Sequence, residues 1–238
     1  MSETTRLGLK LLQASQAQKH VTVNEALSRI DAVSQLVLAS RSVSVPPSGA
    51  AEGSTYGVPS GAVNEWSGRD GAVAVAANGG WEFIEPARGW QAWITDEGAR
   101  AVHDGTLWVS GAVTQTEAGS GAMIRTIEFD HVLGAGAFST TNAIIPADCL
   151  LLAITGRVTV AITGAATAWQ LGIDGVSADR YGSGLGVAAG SFVRGVTASP
   201  QAYYAPTPLT LTATGGDFAG GSVRLAVHLV EFAIPIST

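Results

Sequence analysis

Charge is what this chain has least of. Asp, Glu, Lys and Arg make up 13% of its 238 residues, against about a quarter in an average soluble domain, so much of its surface is expected to meet protein. Positive charge is the scarcer sign, with 13 Lys and Arg against 19 Asp and Glu and a net charge of −6. That balance argues against nucleic acid as a partner, because nucleic-acid binders cluster Lys and Arg. An anionic polysaccharide would gain nothing from the overall field and would need a local basic spot. The single cysteine, Cys149, excludes an internal disulfide and a Cys-rich metal site. Beside Leu150-Leu151-Leu152 it reads as a buried structural thiol. The longest apolar run, Cys149 to Ile154, falls far short of the roughly 20 residues of a spanning helix. The apolar run near the N-terminus is broken by Lys10, too short for a secretory signal, so membrane insertion is not expected.

Catalytic signatures are also missing. Ser120 and Ser183 have glycine neighbours but no Gly-x-Ser-x-Gly frame, so there is no nucleophile elbow. Gly184-Leu185-Gly186 has no βαβ unit around it and reads as a glycine-rich loop. His20, His103, His131 and His228 are scattered without ligand spacing, which gives no metal site. Glu82 with Glu85, or Asp96 with Glu97, are the carboxylate pairs a glycosidase would need, but they read better as solvated turn residues. The expectation is no enzyme, no catalytic residue, no metal and no cofactor.

What is abundant is glycine, 30 residues with 9 prolines, which favours many short strands over long helices. The expected fold class is mainly β, in three parts. Residues 1–40 read as an extended apolar arm (Leu7, Leu9, Leu11, Leu12) that docks on a neighbour, followed by a helix. Thr22 and Glu25 form a capping box, and Val23, Leu27, Ile30, Val33 and Val37 recur at helical spacing over about 16 residues. With no second helix after it, this stripe must pack on a β module or on copies of itself, as an oligomerisation element of a homo-oligomer. Residues 41–112 read as a small Trp-rich β meander, holding Trp66, Trp81, Trp90, Trp93 and Trp108. Most of these belong to its core, and a sugar platform survives mainly for Trp93. Residues 113–238 alternate at period two, for example Val158, Val160 and Ile162, then Trp169, Leu171 and Ile173, then Val223, Leu225, Val227 and Leu229. Glycine turns separate these runs, which reads as an antiparallel β-sandwich of jelly-roll type with about eight strands.

The segment Asp174 to Arg194 lacks clear alternation and reads as the longest loop of that sandwich. Asp174, Asp179, Arg180, Tyr181, Tyr203 and Tyr204 supply the aromatic faces and paired polar groups that a glycan site calls for. Arg180 would donate to a carboxylate or hydroxyl pair and Tyr181 would offer a platform. The alternatives are a core aromatic and an exposed Arg180–Asp179 or Arg180–Asp174 pair.

The run Gln16-Ala17-Gln18-Lys19-His20-Val21-Thr22-Val23-Asn24-Glu25-Ala26-Leu27, followed by Arg29-Ile30-Asp31-Ala32, resembles the opening motif of a family of uncharacterised phage, prophage and gene-transfer-agent proteins. The resemblance continues through Pro46-Pro47, Glu52-Gly53, Tyr56, Trp66-Ser67-Gly68, Gly80-Trp81-Glu82-Phe83, Pro86, Gly89-Trp90 and Asp104-Gly105-Thr106-Leu107-Trp108. It implies a head spike or tail fibre component of a virion or phage-like particle, a trimer or pentamer in contact with capsid or with other spike and fibre subunits. Such a protein would be made in the bacterial cytoplasm, leave by lysis and touch cell-surface polysaccharide. A capsule or wall depolymerase and a purely architectural adaptor are the alternatives.

Overall fold

The computed structural model describes residues 3–12, 19–173 and 176–235. They belong to two compact units, Met1–Ala112 and Val113–Thr238, and the protein is mainly β with one α-helix.

The first unit is built around that helix. Helix α1 spans Lys19–Val33, beginning before Thr22, because nothing in Lys19-His20-Val21 breaks a helix. Thr22 therefore lies within the helix; its side chain, and with it the expected capping box, is outside the described residues. The helix stops at Val33, where Gln35 takes a left-handed φ of 50°, and Val37 already belongs to a strand. Arg6 closes this end. Its guanidinium donates to the carbonyls of Asp31 (3.2 Å), Ala32 (2.6 Å) and Gln35 (2.9 Å), placing a cation on carbonyls the helix cannot satisfy.

Asp31 is buried in the same place. Its carboxylate accepts from the Thr4 hydroxyl (2.9 Å) and from the backbone N–H groups of Arg6 (2.9 Å) and Leu7 (2.5 Å). The chain before the helix is thus not an extended arm. Thr4 N–H donates to the Leu9 carbonyl and Gly8 turns the chain at φ 63°, so residues 3–10 fold back on their own helix. Asn24 grips the next segment, accepting from Leu12 N–H (2.9 Å) and donating to the Leu12 carbonyl (3.1 Å).

Beyond the helix, strands β1 (Val37–Leu38), β2 (Thr55–Gly57), β3 (Val73–Ala77), β4 (Gly80–Ile84), β5 (Gln91–Ile94), β6 (Ala99–His103) and β7 (Trp108–Ser110) form two small sheets, β1-β5-β6-β7 and β2-β3-β4. Asn78 (φ 53°) and Gly79 (φ 77°) give the two left-handed residues of a type I′ turn between β3 and β4, whose twist matches the strands it joins. Ala32 and Leu36 enter one core with Leu38, Val73, Ile94 and Trp108. A second core stacks Tyr56, Trp66 and Trp81 at centroid distances of 5.0–5.7 Å, in the tilted and edge-on contacts that aromatic quadrupoles prefer.

The second unit contains β8 (Ala112–Gln115), β9 (Gly121–Val132), β10 (Phe138–Thr140), β11 (Cys149–Gly164), β12 (Ala168–Ile173), β13 (Ser177–Leu185), β14 (Phe192–Tyr203), β15 (Thr210–Thr214) and β16 (Phe218–Ala233). The sheets are β14-β11-β16-β9-β8 and β10-β15-β12-β13. Apart from β8, first pairs with last, β9 with β16, then β10 with β15, β11 with β14 and β12 with β13, all antiparallel. That nested pairing is a jelly roll. Leu151, Ile154, Val158, Leu225 and Val227 of one sheet meet Trp169, Leu171 and Leu211 of the other in a single core. Val160 departs from the expected alternation: the β11–β16 register shifts on both sides of it, and the bulge turns its side chain to solvent.

Burial alone would raise the Asp31 pKa, but the N–H groups of Arg6 and Leu7, the Thr4 hydroxyl and the Arg6 charge outweigh it and hold the carboxyl below its usual range. Asp31→Asn should cost about 1–3 kcal/mol at neutral pH. A lowered folded-state pKa stabilises above the unfolded value and is lost as pH falls through the folded one. The gap between the two proteins in urea unfolding should therefore narrow as the pH falls below the range in which a free carboxyl titrates. Separately, a Cβ on Gly195 would lie 2.3 Å from the Tyr181 carbonyl oxygen and 2.8 Å from its Cα. Gly195→Ala must therefore push β13 and β14 apart, lowering stability by about 1–3 kcal/mol in the same assay.

Candidate functional site

The sequence-expected glycan residues lie on strands more than on a loop. Asp174 is outside the described residues, but Asp179, Arg180 and Tyr181 sit on β13 and Tyr203 ends β14. The expected long loop between Asp174 and Arg194 is therefore corrected to a strand followed by a short turn. Gly182 (φ 155°) and Gly184 (φ 62°) interrupt the side-chain alternation and conceal the strand in the sequence.

Tyr181 is not a platform. It is 2% exposed and its hydroxyl meets that of Tyr203 at 2.5 Å. Burial and this contact push the Tyr181 pKa up, so the phenol stays protonated. Arg180 donates to the Gln201 side-chain carbonyl and is not paired with Asp179; the alternative pair with Asp174 lies outside the described residues. Asp179 is exposed and accepts from the Ser177 hydroxyl at 3.1 Å. Of the six residues, Tyr204 alone offers a free aromatic face, at 83% exposure. The structure thus joins Tyr181 to Tyr203 through their hydroxyls, and Arg180 to a residue the sequence reading passed over, Gln201.

The helical stripe divides as well. Val33 packs against the first unit's core beside Ala32 and Leu36. Leu27 is half-buried, whereas Val23, Ile30 (49%) and Val37 are exposed. Val37 lies opposite Trp93 in the β1–β5 pair, and Trp93 is itself 48% exposed. The helix therefore meets its own β module through Val33 of the expected stripe and through Ala32 beside it, and leaves Val23 and Ile30 exposed.

Sequence reasoning missed Arg6, Asn24 and Asp31, which hold the N-terminal segment. The signal available was an acidic residue at a helix position flanked by Ile30 and Ala32, where a charge has to be paired once buried. Other titratable groups are structural. Cys149 is buried with its thiol 3.2 Å from the Pro146 carbonyl, and burial raises its pKa. His103 is buried edge-on to Trp108 at 5.1 Å, and desolvation lowers its pKa. Glu97 pairs with Arg41 at 2.7 Å. Among the described residues, no cluster of His, Cys, Asp and Glu could hold a metal ion.

A family model described as a protein of unknown function (DUF2793) matches residues 23–109, less than half of the chain. No curated protein matches it. Among solved structures, one titled as the capsid asymmetric unit of cyanophage Pam1 is 20% identical over 52% of this chain and 87% of that one, with a TM-score of 0.31. At that score the likeness carries no argument about fold or role.

Because Tyr181 serves the core, Tyr181→Ala should cost about 3–5 kcal/mol in equilibrium unfolding. Tyr204→Ala, at an exposed position, should stay within about 0.5 kcal/mol of wild type. Equal effects would contradict the assignment of one tyrosine to the core and the other to the surface.

Proposed function

We propose that the chain is a non-enzymatic structural component of a phage-like particle, a head spike or tail fibre of gene-transfer-agent type, whose jelly roll contacts cell-surface polysaccharide. The observation that carries this reading is the nested eight-strand pairing of the second unit, joined in one chain to the particle-type motif around Asn24 and Asp31. Jelly rolls recur in viral capsid and lectin domains. That is support by analogy of fold, since a fold alone does not determine function. Synthesis in the bacterial cytoplasm and release by lysis go with this reading.

Assembly is assigned to the helix. Val23 and Ile30 are exposed in the protomer, and identical helices around a symmetry axis, in a trimer or a pentamer, would bury one another's stripes. Each side chain so covered would contribute about 1.5–3 kcal/mol.

Density-gradient fractionation of particles followed by immunodetection tests the particle role, and the protein should travel with the particle fraction. Light scattering tests assembly: Val23→Asp with Ile30→Asp should give a smaller species with unchanged circular dichroism. A wild-type protein that is already monomeric would sink the assembly role. Incubation with host capsular polysaccharide should leave the polymer length unchanged, and shortening would make the protein a depolymerase.

A further inference from the structure

Three arginines share the outer face of the five-stranded sheet. Arg157 on β11 stands directly opposite Phe192 of β14 on one side and Arg224 of β16 on the other. Arg194 pairs with Thr155, two residues along β11, and so lies diagonal to Arg157. These residues, with Glu128 of β9, line an open groove of about 460 Å³. Phe192 is 61% exposed.

The charges are unevenly balanced. Arg224 is held by Asp130 through two bonds of 2.8 Å. Arg157 gives one N–H to the Gly190 carbonyl (2.9 Å). Among the described residues neither Arg157 nor Arg194 has a carboxylate partner. Like charges directly opposite on a sheet destabilise it, so the Arg157–Arg224 juxtaposition costs stability in the free protein. In a chain of net charge −6, three guanidiniums against the carboxylates of Glu128 and Asp130, beside an exposed ring, form a local basic spot.

We propose that this groove binds a carboxylated glycan, an inference that rests on the polysaccharide-attachment reading and gives it a site and a substrate class. Arg157 and Arg194 would each present a planar fork of donors that matches a carboxylate. Phe192 beside Arg157 offers an apolar face to the C–H side of a sugar ring. Glu128 decides between anions: its carboxylate repels a continuous polyanion such as nucleic acid, but accepts hydrogen bonds from sugar hydroxyls. A uronic acid unit carries both a carboxylate for the arginines and hydroxyls for Glu128.

The test uses the full-length protein with a short oligogalacturonate and its methyl ester, which keeps the sugar backbone and removes the charge. Calorimetric titration at low salt should show the acid binding about tenfold or more tightly than the ester. Arg157→Gln with Arg194→Gln should remove that preference without changing the unfolding midpoint. The corresponding pair of Lys substitutions should restore part of it, because charge returns without the fork. Equal binding of acid and ester, no binding of the acid, an unaffected glutamine variant, or duplex DNA bound as tightly as the acid would each overturn the proposal. Binding to capsulated cells separates the two levels. Cells bound equally by wild type and glutamine variant leave polysaccharide attachment standing and remove this groove from it. Acid binding that depends on the arginines, in a protein that binds no cells, leaves the groove standing and removes the attachment role.

Discussion

Strand β16 is hydrogen-bonded on both sides, to β9 from Ala233 to Ser222 and to β11 over most of its length, and the second unit depends on that double pairing. A central strand has no free edge, so its register cannot slip without breaking two ladders at once. Because side chains alternate, a slip of one residue would also turn Val223, Leu225, Val227 and Leu229 out of the core. Those four side chains are buried and meet the opposite sheet through Trp169, Leu171 and Leu211. Tyr181 and Tyr203 close the β13–β14 side, where Gly195 lets the two backbones approach.

A sandwich covers one face of each sheet and leaves the other to solvent or to a partner. On the five-stranded sheet the outer face is not merely polar. It carries an ordered ion pair, Arg224 with Asp130, and a run in which His228 contacts both Thr155 and Thr126. Exposed ion pairs of this kind contribute little to stability. They do hold side chains in place, so Arg157 and Arg194 stand out as cations with no ion-pair partner among the described residues.

The first unit reaches order by a different route. Its cores are small, and its N-terminal segment is held by polar contacts. Asp31 collects three donors, Arg6 closes the helix end, and Asn24 pairs with Leu12. A buried carboxylate is tolerable only when its lone pairs are met, and here the segment it holds supplies every donor. The motif that stands out in the sequence therefore has a structural task within the protomer, whatever it contributes to assembly.

The sequence by itself determined the β class, the jelly-roll character of the C-terminal region, the buried Cys149 and Trp169, and the existence of the helix, because these follow from local periodicity and composition. It did not determine which residues would meet. The helix ends at Val33 and not at Val37, where Arg6, distant along the chain, meets the terminal carbonyls. The strand at Ser177–Leu185 escaped notice because glycines interrupt its alternation, and Tyr181 went from candidate platform to core once β14 was laid beside it. Val160 turned outward through a bulge that no pattern of hydrophobic residues encodes. Arg157, Arg194 and Phe192 became neighbours only through the β11–β14 register. Strand pairing joins residues tens of positions apart, so a groove on a sheet face is a property of register, and register is decided by the packed tertiary structure.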